Sequence, residues 1–208
     1  MGKGTSMING LNKEDVTVPM SKVFLVNMTE AQSSFLKRAL EDDDYQVVAS
    51  VNEANDLVNK VDQSGAEIVV LCLDSPNAFV LEQLTELNAC SPKPVIMFAE
   101  YDAPSVIKQV VASGVSAYVV AEIHPHRIRS TISVAVIRFK EQQTLLTELK
   151  NAQTQLADRK LVDRAKGLLM EHQGLTEDQA YKKLRKMSMD KGKNLASVAE
   201  SVVDILSL

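Results

Sequence analysis

The sequence predicts an α/β domain, a five-stranded parallel sheet between layers of helix, followed by a long helix and a small all-α bundle. Three observations predict it. Short apolar runs alternate with helical periods from residue 22 to residue 122. The central runs, above all "EIVVLCL" (67–73), are apolar on both faces, as strands covered on both sides must be. Beyond residue 126 the period is helical throughout, punctuated only by Gly174 and Gly192.

Each element has its own signal. "KVFLVN" (22–27) is a strand, and "EAQSSFLKRALEDDD" (30–44) is a helix with Phe35, Leu36, Ala39 and Leu40 at core spacing. "YQVVASV" (45–51) is the second strand. "EANDLVNKVDQSG" (53–65) is a helix that turns Leu57, Val58 and Val61 inward and closes on Gly65. The period repeats with the strand at 67–73, the helix "NAFVLEQLTELNAC" (77–90), the strand "PVIMFAE" (94–100), the helix "APSVIKQVVASG" (103–114) and the strand "AYVVAE" (117–122). Such an alternation implies a flavodoxin-like, doubly wound sheet with its site at the carboxyl ends of the strands.

Residues 22 to about 135 resemble the two-component receiver family. In that family an acidic pair after the first strand holds a metal ion, the third strand presents a phosphate-accepting Asp four residues before a proline, and Thr or Ser and Lys end the fourth and fifth strands. Laid on that pattern, the acidic pair falls on Asn27 and Met28, the acceptor on Cys72, four before Pro76, the hydroxyl on Ala99 and the lysine on Ala121. None of these residues supplies the chemistry of its column. Asp74 lies two residues past the acceptor column and would share its strand face, yet it would have neither a metal site nor a cation to hold a phosphoryl group. The resemblance therefore implies a pseudo-receiver, with Asp74 an unlikely acceptor and Cys72 a small buried residue of a central strand.

From His126 the last receiver helix runs on. Ile128, Ile132, Ala135, Phe139, Gln142, Leu146, Leu149, Gln153 and Leu156 follow a 4,3 alternation, the seam of a coiled coil and hence of a homodimer. The register breaks at Leu156, where a new unit begins. "LADRKLVDRAKGLLMEHQG" (156–174) stops at Gly174, and "TEDQAYKKLRKMSMDKG" (176–192) opens on a Thr176/Gln179 capping box and closes on Gly192. "NLASVAESVVDIL" (194–206) is the third helix. Leu161, Ala165, Leu168, Ala180, Leu184, Met187, Leu195, Val198, Val202 and Leu206 give the three a common core. The division expected is a disordered leader (1–20), a pseudo-receiver (21–125), a coiled-coil helix (126–157) and a C-terminal module (158–208).

That module resembles the ANTAR domain, the RNA-binding antiterminator module, through Arg159, "RAKGLLM" (164–170), Ala180, "LRKMSM" (184–189), Lys193, Leu195 and Val198-Ala199. "GVSAYVV" and "IHPHRI", with the helical connector, are similar to nitrate-responsive regulators of the NasT type, whose architecture the amidase regulator AmiR shares. The resemblance implies a dimer that grips tandem hairpins in a leader mRNA and prevents a terminator. It also implies control of nitrate or nitrite assimilation genes through sequestration by a NasS-like nitrate-sensing protein rather than through phosphorylation. Paired hairpins call for cations on a helical face and a planar group for stacking. Arg159, Arg164, Lys166, Arg185 and Lys193 supply the charge, and the charges of Lys166 and Arg185 have no structural need in the sequence. Tyr181 either stacks on a base or caps the bundle core, and Gly167 either admits RNA backbone or lets helices pack closely.

Composition is consistent with this division. The chain has 208 residues, 45% hydrophobic and 24% charged, with a net charge of −4. Ten Lys/Arg against six Asp/Glu in residues 158–194 make that segment +4 and the remainder −8, a basic module on an acidic carrier. Two cysteines, Cys72 and Cys90, form neither a disulfide framework nor a zinc pattern, and no run reaches a membrane span, so a cytoplasmic protein without a membrane partner is expected. His124, His126 and His172 lack metal-ligand spacing, no cofactor is called for, and no nucleophile–base pair suggests an enzyme. The alternative is a DNA-binding response regulator built on a helix-turn-helix. Past its Asn194 cap, however, the third helix, "LASVAESVVDIL", lacks the Arg, Asn or Gln that reads bases.

Overall fold

The computed structural model describes residues 21–27, 30–43, 45–100, 103–120 and 124–206. Met28, Ala121 and the 1–20 leader lie outside the described residues. The N-terminal unit holds five parallel strands, β1 (Lys22–Asn27), β2 (Gln46–Val51), β3 (Ile68–Leu73), β4 (Val95–Ala99) and β5 (Ala117–Val120), in the order β2-β1-β3-β4-β5. This is the flavodoxin-like order, which reverses between β1 and β3 and opens its crevice there. β3 and β4 are buried along their whole length because helices cover both faces, which explains why their sequences are continuously apolar.

Helices α1 (Glu30–Asp42), α2 (Leu57–Ser64), α3 (Ala78–Cys90) and α4 (Pro104–Ala112) alternate with the strands, and α5 (Pro125–Gln173) follows β5. Leu36, Ala39 and Leu40 of α1 join Ile128, Ile132 and Ala135 of α5 against one sheet face, with Val23, Leu25, Val70, Cys72, Ile96 and Phe98. Leu57 and Val61 of α2, Val80, Leu84 and Leu87 of α3 and Val110 of α4 cover the other. Two helix assignments change. Phe35, read from its spacing as a core position of α1, is exposed. The second helix starts at Leu57 rather than residue 53, because Asp56 takes left-handed angles (φ 51, ψ 41) that an α-helix does not contain.

α5 is one uninterrupted helix of 49 residues, and the chain divides into two compact units within it, at Lys140/Glu141. Gly174, at φ 66, ends it. α6 (Glu177–Lys191) and α7 (Leu195–Leu206) complete the second unit. The Thr176 side chain accepts from Gln179 N and the Gln179 side chain accepts from Thr176 N, so the capping box forms. Asn194 accepts from Ser197 N at 2.7 Å at the start of α7. The bundle core is Ala165, Leu169, Ala180, Leu184, Val198, Ala199, Val202 and Val203, with Leu161, Leu168, Met187, Leu195 and Leu206 half-buried around it. Leu169, Ala199 and Val203 thus join the core read from the sequence. No helix among the described residues is long and apolar enough to cross a membrane.

The seam read along α5 needs one correction. Ile128, Ile132 and Ala135 are fully buried in the sheet's own core and are unavailable to a second chain. A helix that covers a sheet and then continues must spend its first apolar turns on that sheet. Leu146, Leu149 and Leu156 are exposed, as are Gln142 and Gln153.

Candidate nucleic-acid interface

The candidate residues fall in two places, the receiver crevice and the basic module. At the crevice, Asn27 ends β1 as the register partner of Cys72 on β3, and Ala99 ends β4 opposite Leu73. Cys72 is buried, and burial, reinforced by the charges of Asp74 and Glu100, pushes its thiol up to about 11. It is a neutral thiol at physiological pH and a poor nucleophile. Asp74 does not continue the face of Cys72. β3 ends at Leu73 and Asp74 lies in the bend beyond it, exposed, its carbonyl accepting from Glu100 N at 3.2 Å. The strand-face argument for Asp74 therefore fails, since side-chain alternation holds only where the strand does.

In the basic module the helical period sorts the candidates. Along α5, Arg159 and Lys166 lie seven residues apart on one flank, whereas Arg164 lies on the opposite flank. Arg159 and Arg164 are exposed. Lys166 is not, with 16% of its side chain accessible. Its Nζ lies 2.8 Å from Asp163 Oδ1 and 2.7 Å from Glu177 Oε1, the first residue of α6. Asp163 also faces Arg159 Nε at 3.9 Å, which makes a ladder of Arg159, Asp163, Lys166 and Glu177. The hydrogen bond from Lys166 holds the Asp163 carboxyl below the usual range, and those to Asp163 and Glu177 raise the Lys166 ammonium. The reading of Lys166 as a charge without structural need is thus corrected: it joins two helices.

Gly167 faces outward. A Cβ built there meets nothing within 4 Å, so close helix packing is not its reason. On α6, Ala180 and Leu184 enter the core, and the residues after each, Tyr181 and Arg185, stand one turn apart on the adjoining flank. Both are exposed, Tyr181 at 41%, so the ring does not cap the core. Met189, exposed one further turn along, continues this stripe. The i, i+4, i+8 spacing of Tyr181, Arg185 and Met189 is the sequence signal for this stripe. Lys193 is exposed in the turn after α6, where its backbone N–H donates to Ser188 O at 3.2 Å and its carbonyl accepts from Ser188 Oγ at 2.6 Å. The left-handed Gly192 (φ 60) makes that turn possible. Lys182 is paired with Asp178 at 2.6 Å, and Lys183 donates to Gln173 at 2.5 Å.

The stripe thus presents a phenol, a guanidinium and a thioether in succession, followed by the lysine-bearing turn. Such a surface can stack on bases and neutralise phosphates.

Known proteins match the C-terminal unit, the N-terminal unit, and the two together. Residues 150–203 match the ANTAR domain. Over 171 residues the chain is 26% identical to the transcriptional regulatory protein PdtaR of Mycobacterium tuberculosis, which covers 82% of this chain and 83% of that one. It is 38% identical over 68 residues to a nitrate regulatory protein of Klebsiella oxytoca, a stretch that is 33% of this chain and 17% of that protein. The signal receiver domain of a modulated diguanylate cyclase from Desulfovibrio desulfuricans G20 aligns with a TM-score of 0.53 at 15% identity, over 59% of this chain and 98% of that one. At that identity the likeness is one of fold. The chain carries an ANTAR domain behind a domain of the CheY-like receiver fold.

Proposed function

We propose that this protein is an RNA-binding antitermination regulator whose ANTAR domain grips tandem hairpins in a leader mRNA, and which acts as a homodimer. The observation that carries the reading is the exposed Tyr181–Arg185 stripe on α6, within residues that match the ANTAR domain. Arg159, Arg164 and Lys193 add exposed cations, and the bare face at Gly167 admits RNA backbone. Residues 21–125 act as a pseudo-receiver, 126–157 as the dimerisation helix and 158–208 as the RNA-binding module. The exposed Leu146, Leu149 and Leu156 form the dimer seam.

Phosphorylation is not the input. Asn27, Met28, Cys72, Ala99 and Ala121 occupy the positions where the receiver family carries its chemistry, and none of them binds a metal or accepts a phosphoryl group there. Regulation instead comes from a protein partner that holds the free form, by differential affinity alone. The likeness to a nitrate regulatory protein supports a nitrate or nitrite signal; a NasS-like sensor is the partner proposed to deliver it.

Tyr181→Ala and Arg185→Ala test the reading in titrations with a tandem-hairpin RNA. Loss of a stacking ring costs about 1–3 kcal/mol per base, and loss of a phosphate contact flattens the salt dependence by about one unit of slope. Variants that bind like the parent at every salt concentration would place the RNA on another face.

A further inference from the structure

We infer that Lys166 is a positioning residue, which pins the first turn of α6 to α5 and so aims the Tyr181–Arg185 stripe, and that it makes no contact with RNA. The inference rests on the RNA-binding reading. Its basis is the order in which the ladder meets solvent. The Lys166 side chain is 16% accessible, whereas Asp163 and Glu177, which hold its Nζ at 2.8 and 2.7 Å, are 55% and 70% accessible. Anything approaching this ammonium meets two carboxylates first. A phosphate would have to displace both from an ammonium whose charge the ladder already balances. An ammonium offers three donors, and two are already committed to oxygens on different helices.

The surroundings show what the pin does. Gln173 closes α5, Gly174 turns the chain at φ 66, and Thr176 caps α6, so the two helices are joined by a short turn whose angle needs fixing. Lys166–Glu177 ties the first residue of α6 back to α5, and Lys183–Gln173 ties its second turn to the end of α5. Tyr181 lies one turn beyond Glu177 on the same helix, so the tie at Glu177 governs where its ring is presented. Glu177 also suits its place, since a carboxylate in the first turn of a helix is favoured by the helix dipole.

The experiment compares Lys166→Met, Glu177→Gln and Lys166→Arg in the full-length chain by thermal unfolding of the ANTAR unit. The same variants are titrated with a tandem-hairpin RNA over a salt series, at a temperature where each is fully helical by circular dichroism. Lys166→Met and Glu177→Gln are both expected to lower Tm and to weaken RNA binding several-fold with an unchanged salt slope. Lys166→Arg, which keeps a cation able to reach both carboxylates, is expected to restore both. A Lys166→Met variant with parental Tm and a salt slope flatter by about 1 would make Lys166 a phosphate contact and overturn the inference. So would a Glu177→Gln variant that binds RNA more tightly, because the carboxylate would then be a competitor. A lowered Tm with parental RNA affinity would reduce the pair to a merely structural one. Failure of the parent chain to bind RNA would defeat the functional reading instead, and the unfolding series would still decide whether Lys166 and Glu177 act as a pair.

Discussion

Asn27 and Cys72 are register partners at the ends of β1 and β3, the two strands that flank the crevice where a doubly wound sheet places its site. An amide and a buried neutral thiol stand where receiver chemistry needs carboxylates. With Mg²⁺ and a small-molecule phosphodonor, the protein is therefore expected to show no phosphoryl mass increase and no change in oligomeric state. Stoichiometric phosphorylation at Asp74 would contradict this.

The two thiols should separate by reactivity. Cys72 is buried with its thiol near 11, whereas Cys90 is exposed at the end of α3. Iodoacetamide at neutral pH is expected to label Cys90 in the native protein and to reach Cys72 only after denaturation. Rapid native labelling of Cys72, read by peptide mass, would mean that the crevice opens.

Gly167 separates a stability effect from a binding effect. Its Cβ position is empty, and glycine costs a helix interior about 0.5–1 kcal/mol relative to alanine, so Gly167→Ala should stabilise the bundle by about that amount. The same variant is expected to bind hairpin RNA more weakly. A variant that is more stable and binds equally well would remove Gly167 from the interface.

Gly114 behaves in the opposite way. It sits at φ 91, and a Cβ there would come within 2.6 Å of the Asn88 side chain. Strain and overpacking together predict that Gly114→Ala destabilises the receiver unit by about 2–4 kcal/mol. Denaturant unfolding alongside Gly114→Ala/Asn88→Ala measures this, with the double variant recovering only part of the steric cost, because the Cβ of residue 88 itself lies 2.9 Å from the added methyl.

Leu149→Asp with Leu156→Asp is expected to give monomers by sedimentation without loss of receiver helicity, because both leucines are exposed on α5. Ile132→Asp should instead unfold the receiver, since Ile132 lies in its core. A dimer that survives the leucine substitutions would move the seam elsewhere.

The architecture was legible because it rests on local signals. The continuous apolar runs of β3 and β4 announce a sheet covered on both faces, and Thr176, Gln179 and Gly192 mark both ends of α6. What escaped depends on partners distant in sequence. Ile128, Ile132 and Ala135 fit a coiled-coil period as well as a sheet-covering one, and periodicity does not say which surface a helix meets. Asp163 lies three residues from Lys166 and was a readable neighbour, but Glu177 is eleven away, across a turn, so the ladder becomes visible only once the chain is folded. Asp56 is of a residue type that often precedes a helix, but nothing in the sequence announces its left-handed angles.

The proposed function stands or falls on whether this chain recognises RNA hairpins. The most direct test is a titration of the full-length protein with a tandem-hairpin leader RNA across a range of salt concentrations, beside a duplex DNA of equal length. Saturable RNA binding that weakens steeply as salt rises is expected, with DNA bound only at the non-specific level. Binding that favours the duplex DNA, or that makes no distinction between the two, would contradict it.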